Sequence, residues 1–362
     1  MDTAGEMAES LPRTSFPRRR ESSGRHWIPV FTGMTEFART ISYGDYIVID
    51  RQANPFFQRL STGRPLLLDG ATGTELQRRG VDTGLPLWSA RALIEAPAVL
   101  QAIHADYLDA GADIITTNTF RTHRRTLERA GIGARTRELT QLAVQLAQVA
   151  AQSVDRKIFV AGSMSPLEDC YAPELVPPAG DLWIEHAEMA RDLAQAGCDL
   201  LLVETMNTIR EAVIAARCAA ATGLPVCVSF VVGPAGLPPD QVNLTNAEET
   251  RSELKLLSGE SIVAAVAALR SVNPAAILIN CVPLAFIDRA FEELRAAHSG
   301  PIGLYANVGH ADDQVGWTLT DDVLPAAYAR QAQQWVQHGA AIVGGCCGTT
   351  PAHIAALRQI IL

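Results

Sequence analysis

The chain has 362 residues, 48% of them hydrophobic, with a formal net charge of -9 and a pI near 5.4. That much apolar material supports one large domain or two ordinary ones and excludes disorder throughout. Past residue 25 the lysines and arginines are scattered, and no apolar run approaches the roughly 18 to 20 residues needed to cross a bilayer, so neither nucleic acid nor a membrane is an expected partner.

Residues 1–60 differ from the rest, with Pro12, Pro17, Pro29, an arginine run and little sustained periodicity. They read as an N-terminal extension, disordered or repeat-derived. Ser15 to Phe31 resembles a translated interspersed bacterial DNA repeat, which would put the true start at Met34 or later. Arg18-Arg19-Arg20 is followed by Glu21-Ser22-Ser23 and not by an apolar segment, so no secretory leader is expected. Seven cysteines in a long, well-cored chain argue for reduced thiols and a cytoplasmic location.

From Pro65 onward, short apolar runs alternate with longer amphipathic ones. The strand candidates are Leu66–Gly70, Ile114–Thr119, Phe159–Met164, Leu200–Thr205, Val226–Val231, Ala276–Cys281, Ile302–Asn307 and Ala341–Cys346. Helical stretches such as Ala98–Ala110, Ala134–Gln152, Trp183–Ala196, Ile209–Ala221, Ser261–Val272, Phe286–Ala297 and Leu324–His338 lie between them or follow them. Eight such units over residues 61–362 predict an α/β chain closed into a (β/α)8 TIM barrel. An open doubly wound sheet is the rival, but Asp69-Gly70-Ala71-Thr72-Gly73 lacks the glycine spacing of a phosphate-binding turn.

In a barrel the C-terminal strand ends form one rim, so Asp69, Thr117, Asn118, Ser163, Glu204, Cys281, Asn307 and Cys346 are expected to share a mouth. Two long connections, Ser165–Asp181 and about 233–259, would overhang it and shield a substrate from water.

Cys281 ends one buried-looking run, and Cys346-Cys347 closes another within Gly344-Gly345-Cys346-Cys347-Gly348. Three thiolates at converging strand ends are the donor set of a zinc site with one open position. A substrate thiol, whose free pKa is about 8.5, would become a nucleophile there. Vicinal cysteines both facing inward need a tight backbone, which the flanking glycines allow. Ordinary buried cysteines or a vicinal redox disulfide are the alternatives for the trio. Cys170, Cys198, Cys218 and Cys227 read as core residues.

From about Pro65 to its end the chain resembles the homocysteine S-methyltransferase family. The matching stretches are Leu68-Asp69-Gly70-Ala71-Thr72-Gly73-Thr74-Glu75-Leu76, Pro86-Leu87-Trp88-Ser89-Ala90, Thr116-Thr117-Asn118-Thr119-Phe120, Val203-Glu204-Thr205, Asn280-Cys281 and Gly344-Gly345-Cys346-Cys347-Gly348-Thr349. The resemblance implies a Zn2+ enzyme that methylates the thiol of homocysteine to give methionine. It also implies that Cys281, Cys346 and Cys347 are the metal ligands and that Asp69 and Glu204 hold the substrate ammonium.

Gly70 and the amides after it are candidates for the substrate carboxylate, and Thr117, Asn118 and Ser163 for orienting substrate or sulfur ligands. Trp88 is a candidate wall of the donor pocket. The motif reads Asp-Gly-Ala where many relatives carry a second glycine, so the donor is less well marked than the acceptor. The expected partners are small molecules, homocysteine and a methyl donor, with S-methylmethionine or S-adenosylmethionine favoured. Methyl transfer from a separate corrinoid protein or a betaine-like donor, and a non-enzymatic zinc or thiol-binding protein, are the alternatives. The oligomeric state is left open.

Overall fold

The computed structural model describes residues 49–235, 252–312, 316–318 and 323–361. Residues 1–48 of the extension predicted over 1–60, and most of the predicted 233–259 connection, lie outside them. No described helix is long and apolar enough to cross a membrane.

Twelve strands are described: β1 (Leu66–Leu67), β2 (Ile114–Thr116), β3 (Phe159–Met164), β4 (Leu200–Met206), β5 (Val226–Phe230), β6 (Val232–Pro234), β7 (Leu254–Leu256), β8 (Ala276–Pro283), β9 (Ile302–Asn307), β10 (His310–Asp312), β11 (Gly316–Thr318) and β12 (Ile342–Gly345). Eight of them form one all-parallel sheet in the order β1-β12-β9-β8-β5-β4-β3-β2. A parallel bridge from Leu68 to Ile114 and the 2.7 Å bond from the Asp113 amide to the Leu67 carbonyl close it into the predicted barrel. All eight predicted strands overlap these, and β3 and β9 match to the residue.

The closed sheet is buried on both faces, which is why its strands read as continuous apolar runs. Leu66, Leu68, Phe159, Ala161, Leu200, Leu202, Cys227, Ala276, Leu278, Tyr305 and Ile342 cluster within the barrel, while Leu67, Val160, Leu201, Val203, Ile277 and Val343 belong to the layer shared with the helices. Cys227 is thus a core filler, as expected.

Sequence periodicity missed the floor. Residues 49–60, assigned by the sequence reading to the extension, include a helix at Pro55–Leu60. Asn54 caps it by accepting from the Phe56 amide at 3.0 Å, and Pro55 starts it with a fixed φ. Phe56 is buried in the barrel cluster and meets Phe159 edge to face at 5.3 Å. Four further α-helices lie outside the helical stretches named from the sequence: Thr72–Arg78, Ala92–Glu95, Arg124–Arg129 and Pro351–Ile361.

At the opposite end, two antiparallel hairpins follow barrel strands, β6 with β7 and β10 with β11. The long connection predicted after β5 is therefore in part a hairpin. Glu260, just past it, accepts from the Ile209 amide at 2.8 Å and ties it to the loop after β4.

Candidate active site

The three cysteines predicted as ligands converge. Their sulfur atoms all lie within 4.8 Å of one another, with Cys281 and Cys347 at 3.8 Å. β8 carries a register shift between Asn280 and Pro283, and Cys281 takes φ 55, a left-handed conformation costly for a residue with a side chain. That turn at the bulge gives Cys281 a facing it would not have on a regular strand.

The vicinal pair is set by glycine. Gly348 has φ 81, and a Cβ there would sit 1.6 Å from the Val308 carbonyl oxygen. A Cβ on Gly344 would meet the Leu68 and Asp69 carbonyl oxygens at 2.9 and 3.0 Å. The chain therefore passes close between β1 and β9. Backbone bonds from the Cys346 amide to Ala306 (2.9 Å) and from the Val308 amide to Cys347 (2.8 Å) hold both cysteines there.

The donor chemistry fits zinc. Sulfurs placed tetrahedrally around zinc at about 2.3 Å stand about 3.8 Å apart, which matches the Cys281–Cys347 separation. Hydrogen bonds from Cys281 and Cys347 pull the Cys346 thiol well below its ordinary value, while the bond to Cys346 pushes Cys281 up. Three sulfurs this close share negative charge poorly without a cation.

Asn280 braces the trio. Its Oδ1 accepts from the Thr205 amide (3.1 Å) and the Ser229 hydroxyl (2.6 Å), and its Nδ2 donates to Thr205 Oγ1 (2.8 Å) and faces Cys346 Sγ at 3.9 Å. Thr205, also left-handed at φ 60, ends this network beside Glu204. A lone amide directly after the apolar run Ala276–Ile279 was the available signal for it.

The two predicted carboxylates are buried and face the same cavity of about 400 Å3 as the thiols. Asp69 accepts from the Thr116 amide (2.7 Å) and hydroxyl (2.9 Å). Burial nevertheless pushes its pKa up to about 8, and the neighbouring Glu204 charge adds to the rise. Glu204 accepts from the Ser163 hydroxyl and from the Tyr305 hydroxyl at 3.1 Å, and burial raises its pKa to about 7. No lysine or arginine among the described residues pairs with either carboxylate.

Gly70, Thr117, Asn118 and Ser163 also line the cavity, but the polar side chains are engaged internally. Ser163 bonds Glu204. Thr117 Oγ1 accepts from the Ser163 amide at 3.1 Å and pairs with Thr119, while Asn118 Nδ2 donates to the Ser89 carbonyl at 2.8 Å. Gly70 is a close-approach position, since a Cβ there would stand 2.8 Å from Thr349 and Tyr107. Asn307 ends β9 buried, and it does not line this cavity.

The loop after β3 overhangs the mouth as predicted. Ser165 donates to the Phe120 carbonyl (2.6 Å), and Asn207 donates to the Cys170 carbonyl (3.1 Å). These ties bring the Tyr171 hydroxyl to 3.0 Å from Cys281 Sγ, a contact that no local pattern announces. On another wall, Trp88 lies over Gly73, whose added Cβ would be 2.5 Å from the indole, and meets Phe120 edge to face at 6.0 Å.

The family profile described as homocysteine S-methyltransferase matches residues 66–361. The homocysteine S-methyltransferase of Escherichia coli (strain K12) is 30% identical over 325 residues, covering 85% of this chain and 98% of that protein. The selenocysteine Se-methyltransferase of Brassica oleracea var. italica is 28% identical, covering 82% and 89%. The crystal structure of the metallated form of the homocysteine methyltransferase MmuM from Escherichia coli superposes with a TM-score of 0.69 at 28% identity, covering 84% of this chain and 99% of that one.

Proposed function

The chain belongs to the homocysteine S-methyltransferase family, and from that premise we propose how its own residues bring about the methylation of homocysteine to methionine. The observation that carries the assignment is the meeting, in one cavity, of three sulfur atoms and two buried carboxylates without a described basic partner. The family is zinc dependent, and we assign Cys281, Cys346 and Cys347 as the ligands. Bound there, zinc would lower the pKa of a substrate thiol so that its sulfur is nucleophilic near neutral pH.

Asp69 and Glu204 receive the ammonium of homocysteine. Two buried carboxylates raised toward neutrality gain most from a cation placed between them, since each is costly to ionise alone. Thr116 orients Asp69, and Ser163 and Tyr305 orient Glu204. Thr117 and Asn118 act one step back, holding Ser163 and the Trp88 segment in place. Gly70 lets the chain approach Thr349 and Tyr107 closely at the mouth.

In the reaction a sulfur lone pair of homocysteine forms a bond to the donor methyl carbon. The donor's own bond to that carbon breaks, its electron pair stays on the leaving sulfur, and the thiol proton passes to solvent. A sulfonium thereby becomes a neutral thioether. A sulfonium donor such as S-methylmethionine or S-adenosylmethionine is the reading we favour, supported by the aromatic faces of Trp88 and Phe120 on the cavity wall.

The catalytic unit is taken as residues 61–362, with the Pro55–Leu60 helix as its floor. Seven free cysteines suit a reducing compartment, the cytoplasm.

A panel of donors assayed with homocysteine, read as methionine formed by zinc-replete and chelated enzyme, tests this. Formation with a free sulfonium donor and loss on chelation are expected. Methionine formed only in the presence of a methylated corrinoid protein would replace the donor assignment. A selenol acceptor is the second reading, because the Brassica relative acts on selenocysteine, and the same assay with selenocysteine decides it.

A further inference from the structure

Four arginines fall in the segment after β2, at positions 121, 124, 125 and 129. Three are neutralised: Arg124 by Glu188, Arg125 by Glu185, Glu168 and Asp181, and Arg129 by Glu168 at 2.6 Å. Arg121 differs. It lines the active-site cavity, its Nε is buried, and it makes no hydrogen bond or ion pair with any described residue. Its guanidinium lies 5.7 Å from the centre of the Phe120 ring, which in turn packs against Trp88. The guanidinium thus has a buried, unpartnered Nε and no anion beside it at the wall of a ligand cavity, and its planar fork suits a carboxylate.

We propose that Arg121 is a donor-specificity residue that pairs with the carboxylate of a zwitterionic methyl donor while Phe120 and Trp88 face its sulfonium. This rests on the sulfonium-donor reading above. The geometry separates the two substrates by charge. The strand-end acids Asp69 and Glu204, beside the thiols, suit the cationic end of homocysteine, whereas Arg121 is, among the described residues, the unpaired cation lining the cavity and sits on the aromatic wall. A donor that offers a positive sulfur and a negative carboxylate matches that wall in both signs, while a neutral or purely cationic donor leaves Arg121 unsatisfied.

The test uses the full chain with zinc and homocysteine, comparing S-methylmethionine with its carboxamide, in which a neutral amide replaces the carboxylate. Wild-type enzyme is expected to favour the carboxylate donor by about 10- to 100-fold in kcat/KM, the worth of a charge-assisted bidentate pair. In Arg121→Gln that preference collapses toward unity through a raised KM for S-methylmethionine, with the KM for homocysteine unchanged. Arg121→Lys restores part of it, and Arg124→Gln, altered three positions along, retains it all.

Undiminished discrimination by Arg121→Gln, or a loss that falls on the KM for homocysteine, overturns the inference while leaving the methyltransferase reading intact. Absence of transfer from either donor by wild-type enzyme overturns the sulfonium-donor reading itself.

Discussion

Tyr305 donates a 3.1 Å hydrogen bond to Glu204 from the neighbouring half of the barrel, 101 residues away in sequence. Together with Ser163 it fixes both oxygens of a carboxylate that burial has raised to about 7. That placement makes Glu204 ready for a cation and uncomfortable without one.

The pH dependence follows. The ammonium is held by ionised carboxylates, so kcat/KM for homocysteine should rise as pH increases through about 7 to 8, the values reached by Glu204 and Asp69. A kcat/KM profile flat from pH 6 to 9 would show that neither carboxylate binds substrate as an anion.

Stability should run the other way. An acid whose pKa is raised by folding binds its proton more tightly in the folded state. Its contribution is full below the unfolded value and is lost as pH rises through the folded value. For Glu204 that window runs from 4.5 to about 7, with a cost of roughly 3 kcal/mol above it. Glu204→Gln should therefore be more stable than wild type at pH 8 in the absence of substrate, yet bind homocysteine poorly. Chemical denaturation at pH 5 and pH 8 measures the difference, and a variant less stable at pH 8 contradicts it.

Cys346→Ser should lower zinc content to well below one per chain and methionine formation at least 10^3-fold, on the order of 4 kcal/mol of lost transition-state stabilisation. The helices and barrel should persist by circular dichroism, because the trio sits on the rim and not within the packed interior. Metal analysis beside the activity assay checks both, and full activity without stoichiometric zinc would remove the ligand assignment.

Gly348→Ala should be among the most damaging single-methyl changes in the chain. It meets both a left-handed φ of 81 and a carbonyl 1.6 Å from the new atom, and relieving them costs at least about 3 kcal/mol. Since the segment carrying Cys346 and Cys347 must move, zinc affinity should fall together with the melting temperature. A melting temperature within a degree of wild type would show that the approach to Val308 is not needed.

Phe56→Ala separates fold from chemistry. It empties the barrel floor, at the far end from the thiols, and should cost about 3–5 kcal/mol. Zinc stoichiometry and KM values should stay near wild type in the protein that remains folded. A selective rise in KM with no loss of stability would contradict the floor role.

Much of the barrel was legible because each parallel strand must be apolar on both faces, so eight continuous runs ending in polar residues announce both the sheet and its rim. Asp69, Glu204 and the cysteines could be placed on that rim because their position depends on strand order alone. Thr117, Asn118 and Ser163 line the cavity, and their bonds to Thr119, Ser89 and Glu204 depend on loop paths that no local pattern encodes.

The short helix Pro55–Leu60 escaped notice because one buried residue, Phe56, has no periodicity to show. Its role comes from a contact with Phe159 about a hundred positions on.

The amino-acid order alone thus determined the alternation of strands and helices, the set of strand-end groups and the glycine context that lets Cys346 and Cys347 lie side by side. Tertiary structure decided which of those groups meet and which are already satisfied: Tyr171 beside Cys281, Asn280 braced between Thr205 and Ser229, three arginines paired and Arg121 left facing the cavity. Local patterns follow from backbone geometry over a few residues. Pairing and burial are set by distances between segments that only barrel closure brings together.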